Sequence, residues 1–145
     1  MAILALAPTR AERDTERAMS EQNVEIARRT YAAFNRRDLN GVLEGLDPDV
    51  EWQQITQFPD RAVYRGHGEM RDRFMTEQLI EQFPDFRVEV EELVEAGDHV
   101  VMIGRITGHG GASGAPIDLR VVNVLEMRDG MIIRAYDVAG PSHRP

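Results

Sequence analysis

Asp137 is the side chain in this sequence best placed to move a proton. It closes a strand pattern in which Ile133 and Ala135 fall on the same face, so its carboxyl group is predicted to face an otherwise apolar side. Removal from water disfavours the charged form and raises the pKa of a carboxyl group, which makes it a general acid or base near neutral pH. The alternative is a structural role, in which Asp137 forms hydrogen bonds with the backbone of a turn or an ion pair with Arg134 or Arg120.

Asn123 is the second candidate, because it is a polar amide in an apolar row. Leu119, Val121 and Leu125 share its face in the preceding strand pattern. A buried amide must find hydrogen-bond partners, and a bound ligand can supply one. An Asn side chain can donate a hydrogen bond but cannot titrate, so we expect it to orient a substrate or polarise a carbonyl oxygen. A core amide satisfied by the protein is the alternative.

Further side chains are predicted to line a substrate site around these two. Trp52 and Gln54 share one face of a strand, where the indole either fills the core or faces a ligand. His67 stands at the start of a helix and either caps backbone donors or points into the mouth of a pocket. His109, in a glycine-rich loop, could reach over that pocket. The other predicted substrate contacts are Tyr31, Tyr64 and Phe74.

The amino-acid composition excludes several other kinds of catalytic and metal site. The sequence has no Cys, which excludes a Cys nucleophile, a disulfide and a thiolate zinc site. All 17 basic residues are Arg, so a Schiff-base lysine and a phosphate-loop lysine are also excluded. No His or carboxylate spacing is typical of a metal site, and Ser113 lacks the strained turn of a hydrolase nucleophile. We therefore predict neither a metal nor a cofactor.

Charge and hydropathy limit the partners. The chain has 145 residues and a net charge of −8, which argues against a nucleic-acid partner, because phosphate contacts need clustered positive charge. No apolar run approaches the ~20 residues that span a bilayer. The apolar stretch Ala2–Ala7 is short and follows no positive segment, so it is not read as a secretory signal. We expect an apolar small molecule as partner, no membrane, and a cytoplasmic location.

The chain divides into an N-terminal arm, a single domain and a short tail. The arm, residues 1–19, has few apolar positions and is predicted to be mobile or to form a short charged helix, which Thr9 would cap. One domain spans residues 20–140, a size typical of a single core. Residues 141–145 form a polar tail.

Three helices are predicted in the first half of the domain. The first begins near Ser20 and carries apolar residues at helical spacing, the second is capped by Asp38, and the third begins at Gly66. A turn at Asp47–Asp49 precedes a short strand pair, which is interrupted at Phe58–Asp60.

The second half is predicted to be a meander of long antiparallel strands. Apolar and charged residues alternate from Phe86 to Glu91, which indicates a sheet with one solvent-exposed face. The stretch His99–Thr107 is almost continuously apolar, which indicates a central strand, and a hairpin turn is predicted at Arg128–Gly130. Helices on one face of an antiparallel sheet define the α+β class. A curved sheet wrapped round three helices gives a cone-shaped α+β barrel with an open mouth.

Several motifs, in this order and spacing, resemble the SnoaL-like group of the nuclear-transport-factor-2-like superfamily. They are Tyr31-Ala-Ala-Phe-Asn-Arg-Arg-Asp38, Leu46-Asp-Pro-Asp-Val-Glu-Trp52, Tyr64-Arg-Gly-His-Gly-Glu-Met-Arg71 and the final hairpin Val121-Val-Asn-Val-Leu-Glu-Met-Arg-Asp-Gly-Met-Ile-Ile-Arg-Ala-Tyr-Asp137. The resemblance covers roughly residues 20–140 and implies the cone-shaped fold. The superfamily includes both enzymes and non-enzymatic binders, so the fold alone does not imply a reaction.

The resemblance also implies roles for individual residues. Asp137 matches the catalytic aspartate of SnoaL-like polyketide cyclases. Asn123 falls where the steroid isomerases of the superfamily place a protonated acid in their oxyanion hole, and where the cyclases have a His. Gln54 falls at the isomerase general base, and Thr30 at the oxyanion tyrosine, with Tyr31 one residue off the face. This sequence therefore lacks the isomerase set.

Two hypotheses follow. The first is a cofactor-independent enzyme that acts on an apolar cyclic or aromatic substrate by cyclisation, isomerisation or hydration, with Asp137 as acid or base and Asn123 orienting the substrate. The second is a binding or assembly module that uses the same cavity without turnover, and in it Asp137 is structural. Members of the superfamily commonly pair through the sheet, so we also predict a homodimer that involves the apolar strand at 99–107.

Overall fold

The computed structural model of the chain describes residues 7–54 and 62–139. The predicted strand break at 58–60 and the tail at 141–145 lie outside these ranges. The described residues form one six-stranded sheet, and the helices pack on one of its faces. This arrangement confirms the α+β class.

The first helix, α1, spans Arg10–Arg36 and begins well before the predicted start at Ser20. Its first residues, 10–19, continue the helix into solvent with all side chains exposed, whereas a mobile arm or a separate short helix was expected. Good helix-forming residues and the N-cap account for the difference, since Thr9 accepts a hydrogen bond from the Glu12 N–H at 3.1 Å. The domain boundary at residue 20 stays a prediction.

A short helix, α2 (Leu39–Glu44), follows and leads directly into the first strand. Asp38 caps α2 as predicted, because its carboxylate accepts from the Gly41 N–H at 3.0 Å. Strand β1 (Leu46–Gln54) includes Asp47–Asp49, which was expected to be a turn. Asp47 does bond the Asp49 N–H at 2.8 Å, and the result is an irregular stretch in the pairing of β1.

The third helix starts at Gly66, as predicted, directly after the short strand β2 (Ala62–Arg65). Gly66 has a φ of 78°, a left-handed conformation that costs glycine little. Helix α3 (Gly66–Glu69) continues as a π-helix over Met70–Ile80. Its bonding reaches five residues back, as in the 2.9 Å bond from the Glu81 N–H to the Thr76 carbonyl. The inward residues are Met70, Phe74, Met75 and Leu79.

The remaining strands form the predicted meander: β3 (Arg87–Ala96), β4 (His99–His109), β5 (Pro116–Arg128) and β6 (Met131–Ala139). The spatial order is β2-β1-β6-β5-β4-β3, and β1 pairs with β6 in parallel. Strand β4 is therefore second from the edge, and the prediction of a central strand at 99–107 is wrong. Its apolar residues on the outer side, Val101 and Ile103, are only half-buried, so continuous apolarity here reflects an apolar outer face of the sheet.

A β-bulge in β6 changes which residues accompany Asp137. Met127 pairs with Ile132 and Glu126 with Arg134, which leaves Ile133 as the extra residue. The fully buried neighbour of Ala135 on the inner face is consequently Ile132, not Ile133 as predicted. Asp137 itself faces inward, as expected.

Gly104 of β4 lies opposite a second bulge, between Val90 and Glu92 of β3. A Cβ at this position would overlap the Glu89 carbonyl oxygen, which belongs to the backbone and cannot swing away. We therefore expect Gly104→Ala to lower the free energy of unfolding by about 1–3 kcal/mol. Gly68→Ala is the control, because a Cβ there meets nothing within 4 Å and Ala favours the helix. Chemical denaturation measures both variants, and equal stability of Gly104→Ala and the wild type would contradict the tight strand contact.

Candidate active site

The inner face of the sheet and the helices enclose a cavity of about 370 Å³. Its wall is predominantly apolar, and its polar side chains are few: Gln54, Asn123, Asp137 and the hydroxyl of Tyr31. A large apolar cavity with a few convergent polar groups is the usual form of a small-molecule site.

Three aromatic rings from three different elements form one wall of the cavity. Phe34 comes from α1, Trp52 from β1 and Phe74 from the π-helix. The ring centres lie 5.8 Å apart for Phe34 and Trp52, and 5.6 Å apart for Trp52 and Phe74. These distances are typical of attractive aromatic pairs, so the wall is a rigid apolar surface. Trp52 and Phe74 are therefore at the cavity, as predicted.

Tyr31 lies on the cavity face of α1, and Thr30 does not. The alignment with the steroid isomerases placed Thr30 at the oxyanion position and Tyr31 one residue off the face, and the structure corrects this assignment. The Tyr31 side chain is buried and lines the cavity. Thr30 turns away from it and donates its hydroxyl hydrogen to the Ile26 carbonyl at 2.8 Å. Successive helical residues point about 100° apart, so a one-residue offset decides which side chain reaches the site.

Tyr31, Asn123 and Asp137 form one polar cluster in the apolar cavity. Asn123 Nδ2 donates to the Tyr31 hydroxyl oxygen at 3.1 Å. Asn123 and Asp137 are directly opposite each other on β5 and β6. Because the Tyr31 oxygen accepts from Asn123, its own O–H remains available to donate to a ligand.

The Asp137 carboxyl group is buried, with 7% of the residue exposed, and burial raises its pKa to about 6. The two Arg side chains considered as its partners lie elsewhere: Arg134 contacts Glu126 at 3.6 Å, and Arg120 contacts Glu91 at 3.9 Å. Within the described ranges no ion pair involves Asp137. Burial, with a smaller contribution from the Asp137 charge, also raises the pKa of Tyr31, so the phenol stays protonated.

Gln54 lines the cavity as predicted, but Tyr64 lies behind the lining. The Tyr64 hydroxyl donates to Gln54 Oε1 at 3.4 Å, and its ring packs against Phe74 at 5.0 Å. Tyr64 therefore supports two lining residues and is not itself part of the lining, and its role as a substrate contact stays a prediction.

His67 and His109, both predicted substrate contacts, do not reach the cavity either. His67 Nε2 lies 2.8 Å from the Leu46 carbonyl oxygen and donates to it, and no side chain caps the start of α3. His109 Nδ1 lies 2.7 Å from the Asp85 carboxylate, and the same Asp85 accepts from the His109 N–H. The glycine loop is thereby held to the segment before β3 instead of folding over the pocket. In the described part of the chain no group of His and acidic residues is arranged to hold a metal ion.

The outer part of the cavity is lined by apolar residues that the sequence analysis did not assign to the site. Phe86 and Val88 had shown the alternation of an inward strand face, and this was the only signal available for them. The directions of the others depend on the π-helix, on the connection after it and on sheet curvature. They are Leu79, Phe83, Ile106 and Ile117.

A cone-like sheet with helices packed on one face is the fold of the nuclear-transport-factor-2-like class of proteins. Within that class, the SnoaL-like domain profile matches residues 27–135, which is well over half of the chain. The chain belongs to the SnoaL-like domain family. A search of the curated proteins finds no match.

Solved structures with the same fold agree with this assignment. An NTF2-like protein of unknown function from Burkholderia pseudomallei is 28% identical over 81% of this chain and 89% of its own, with a TM-score of 0.68. TerC, crystallised with polyporic acid, is 28% identical over 81% of this chain and 90% of its own, also with a TM-score of 0.68. A SnoaL-like polyketide cyclase assigned in Jannaschia is 23% identical over 81% and 85%, with a TM-score of 0.67, and supports the fold alone. None of the helices in the described ranges is long and apolar enough to cross a membrane.

Because burial raises the pKa of Asp137, we predict that this residue lowers the free energy of unfolding by an amount that grows with pH. Between its usual pKa of 3.8 and about 6, the folded protein binds the proton more tightly than the unfolded chain, so stability falls as the pH rises through this range. Asp137→Asn should therefore match the wild type near pH 4 and exceed it above pH 6, by roughly 3 kcal/mol at most. Chemical denaturation at several pH values measures the difference.

Asp118→Asn is the matched control for this experiment. Its exposed carboxylate bonds Arg105 at 2.6 and 2.8 Å, which lowers the pKa of Asp118. Its contribution to stability is present at neutral pH and lost in acid, so this variant should show a small change of opposite sign. A loss of stability in Asp137→Asn at neutral pH would contradict the unpaired, poorly solvated carboxylate described above.

Proposed function

We propose that this protein is a cofactor-independent enzyme that moves a proton on an apolar cyclic or aromatic molecule, in a cyclisation, isomerisation or hydration. The observation that carries the proposal is the meeting of a buried carboxyl group of raised pKa with a protonated phenol in an apolar cavity. A general base is most effective when its pKa lies near the working pH, and a value of about 6 suits that task.

In the proposed step, the ionised Asp137 carboxylate takes a proton from a carbon next to a carbonyl group of the substrate. The electron pair of the broken C–H bond moves toward the carbonyl oxygen, which becomes an oxyanion. Tyr31 donates its O–H to that oxygen, and the protonated Asp137 later returns the proton to the substrate. Asn123 supports this donor, since its bond to the Tyr31 oxygen at 3.1 Å polarises the phenol.

The aromatic wall would hold the substrate ring. Phe34, Trp52 and Phe74 offer an apolar surface on which a flat ring packs. The crystallisation of TerC, a protein of the same fold, with polyporic acid supports a small organic molecule as the ligand class.

Proton transfer can be tested before the natural substrate is known. We expect the wild-type protein to catalyse hydrogen–deuterium exchange of the acidic C–H groups of 2-tetralone in D₂O, followed by NMR. The rate should rise with pH through about 6, as Asp137 ionises. Asp137→Asn should lower it by roughly 10²–10⁴, and Tyr31→Phe by roughly 10²–10³.

Asp118→Asn, on the outer side of β5, should leave the exchange rate unchanged. Exchange at equal rates in the wild type and Asp137→Asn would overturn the proposal. Binding of 2-tetralone without exchange would instead favour the non-catalytic binding module.

We also propose that two copies of the chain pair through the outer face of the sheet. One row of apolar side chains crosses four strands there, in direct register: Val94, Val101, Val124 and Tyr136. A second pair, Ile103 and Val122, lies beside it. The helices cover the other face, so within one chain these side chains stay partly exposed. A contiguous apolar patch across four of the six strands is typical of an interface.

Light scattering at micromolar concentration should accordingly give a mass of twice the 16.4 kDa of one chain. Val124→Arg places a charge in the middle of the apolar row and should shift the mass to that of a monomer. Met19→Arg is the control, since Met19 is an exposed apolar residue on α1 and does not belong to the outer face of the sheet. A mass of one chain for the wild-type protein would contradict the proposed dimer.

A further inference from the structure

Asn123 carries a buried hydrogen-bond acceptor for which the described part of the protein provides no donor. Its Nδ2 is used by Tyr31, but its Oδ1 has no hydrogen-bond partner among the described residues. Asn123 is 7% exposed and lines the cavity, so bulk water does not surround this oxygen. An unsatisfied buried acceptor costs free energy, which a suitable ligand recovers by donating to it.

The surroundings of Asn123 explain why the protein leaves this oxygen unpaired. Val121 and Leu125, its neighbours on the inner face of β5, are buried and apolar. Asp137, directly opposite, is an acceptor when ionised. The Tyr31 oxygen already accepts from the same amide, and the Tyr31 O–H makes no hydrogen bond to Oδ1.

We propose that Asn123 Oδ1 accepts a hydrogen bond from the ligand, and that the cavity therefore selects an uncharged ring molecule with a hydroxyl group. The ligand hydroxyl donates to Asn123 Oδ1, and the single Tyr31 O–H stays available for the carbonyl oxygen of the proposed reaction. This inference concerns the same cavity as the proposed function and rests on it for the identity of the site. It differs from the sequence-based role of Asn123, which was donation to a carbonyl oxygen.

The charge of the cavity excludes anions from this site. The lining found in the described residues contains no Arg and no His, and its one ionisable carboxyl group belongs to Asp137. A carboxylate ligand would lose its hydration, gain no counter-charge and meet the Asp137 charge. The ligand hydroxyl must therefore be one that stays protonated at neutral pH.

Three naphthalene probes that differ in one substituent test the inference by calorimetric titration of the full chain at pH 7. We expect 2-naphthol, which has a donor, to bind roughly 5- to 100-fold more tightly than 2-methoxynaphthalene, which has none. The anion 2-naphthoate should bind most weakly. Equal affinity for 2-naphthol and 2-methoxynaphthalene, or tighter binding of 2-methoxynaphthalene or 2-naphthoate, would overturn the inference on the wild-type protein alone.

Asn123→Leu, which keeps the size of the side chain, should remove the preference for 2-naphthol over 2-methoxynaphthalene. Gln54→Leu is the matched control: it removes another lining amide, whose oxygen already accepts from Tyr64, and should retain the preference. A preference that survives in a folded Asn123→Leu protein would overturn the role of Oδ1. A wild type that prefers 2-naphthol yet exchanges no proton of 2-tetralone would refute the proposed enzyme and leave this inference standing, and the reverse pattern would refute this inference alone.

Discussion

The withdrawal of the Asp137 carboxyl group from water, with no cation paired to it in the described part of the chain, is the constraint on which the site depends. The fold tolerates this arrangement because the group can hold a proton up to a pH of about 6. A cation in the wall would have returned the pKa of Asp137 to its ordinary range and left a stable but unreactive ion pair. Arg120 of β5 and Arg134 of β6 instead contact Glu91 and Glu126.

The hydrogen bond between Asn123 and Tyr31 joins the two layers of the domain at the cavity. The two residues are 92 positions apart in sequence and belong to the sheet and to α1. The same bond orients the phenol and leaves the buried amide oxygen of Asn123 without a donor among the described residues, and the proposed ligand supplies that donor. Polar networks that are only partly satisfied by the protein are rare in cores, and a binding site is the usual reason for one.

Period-two patterns were sufficient to predict the inward directions of Trp52, Asn123 and Asp137, because alternation holds for the buried residues two positions away, Val50, Val121 and Ala135. The same reasoning failed at Ile133, since a bulge adds one residue and leaves no mark in the apolar pattern. Helical spacing places Tyr31 on the buried face of α1 with Ala27 and Phe34. The alignment with the steroid isomerases, and not the spacing, gave the site position to Thr30. The two His side chains were beyond prediction, because their partners, Leu46 and Asp85, lie far away along the chain.

The parallel pairing of β1 with β6 has a consequence for how the domain folds. Strands β3 to β6 are joined by local hairpins and can form early, whereas Trp52 reaches its partner Ala135 only after a long loop has closed. Contacts between distant segments slow folding, so the wall that carries Trp52 joins the meander late. Substitutions at this seam should therefore act mainly by accelerating unfolding, and the local hairpins should set the rate at which the chain folds.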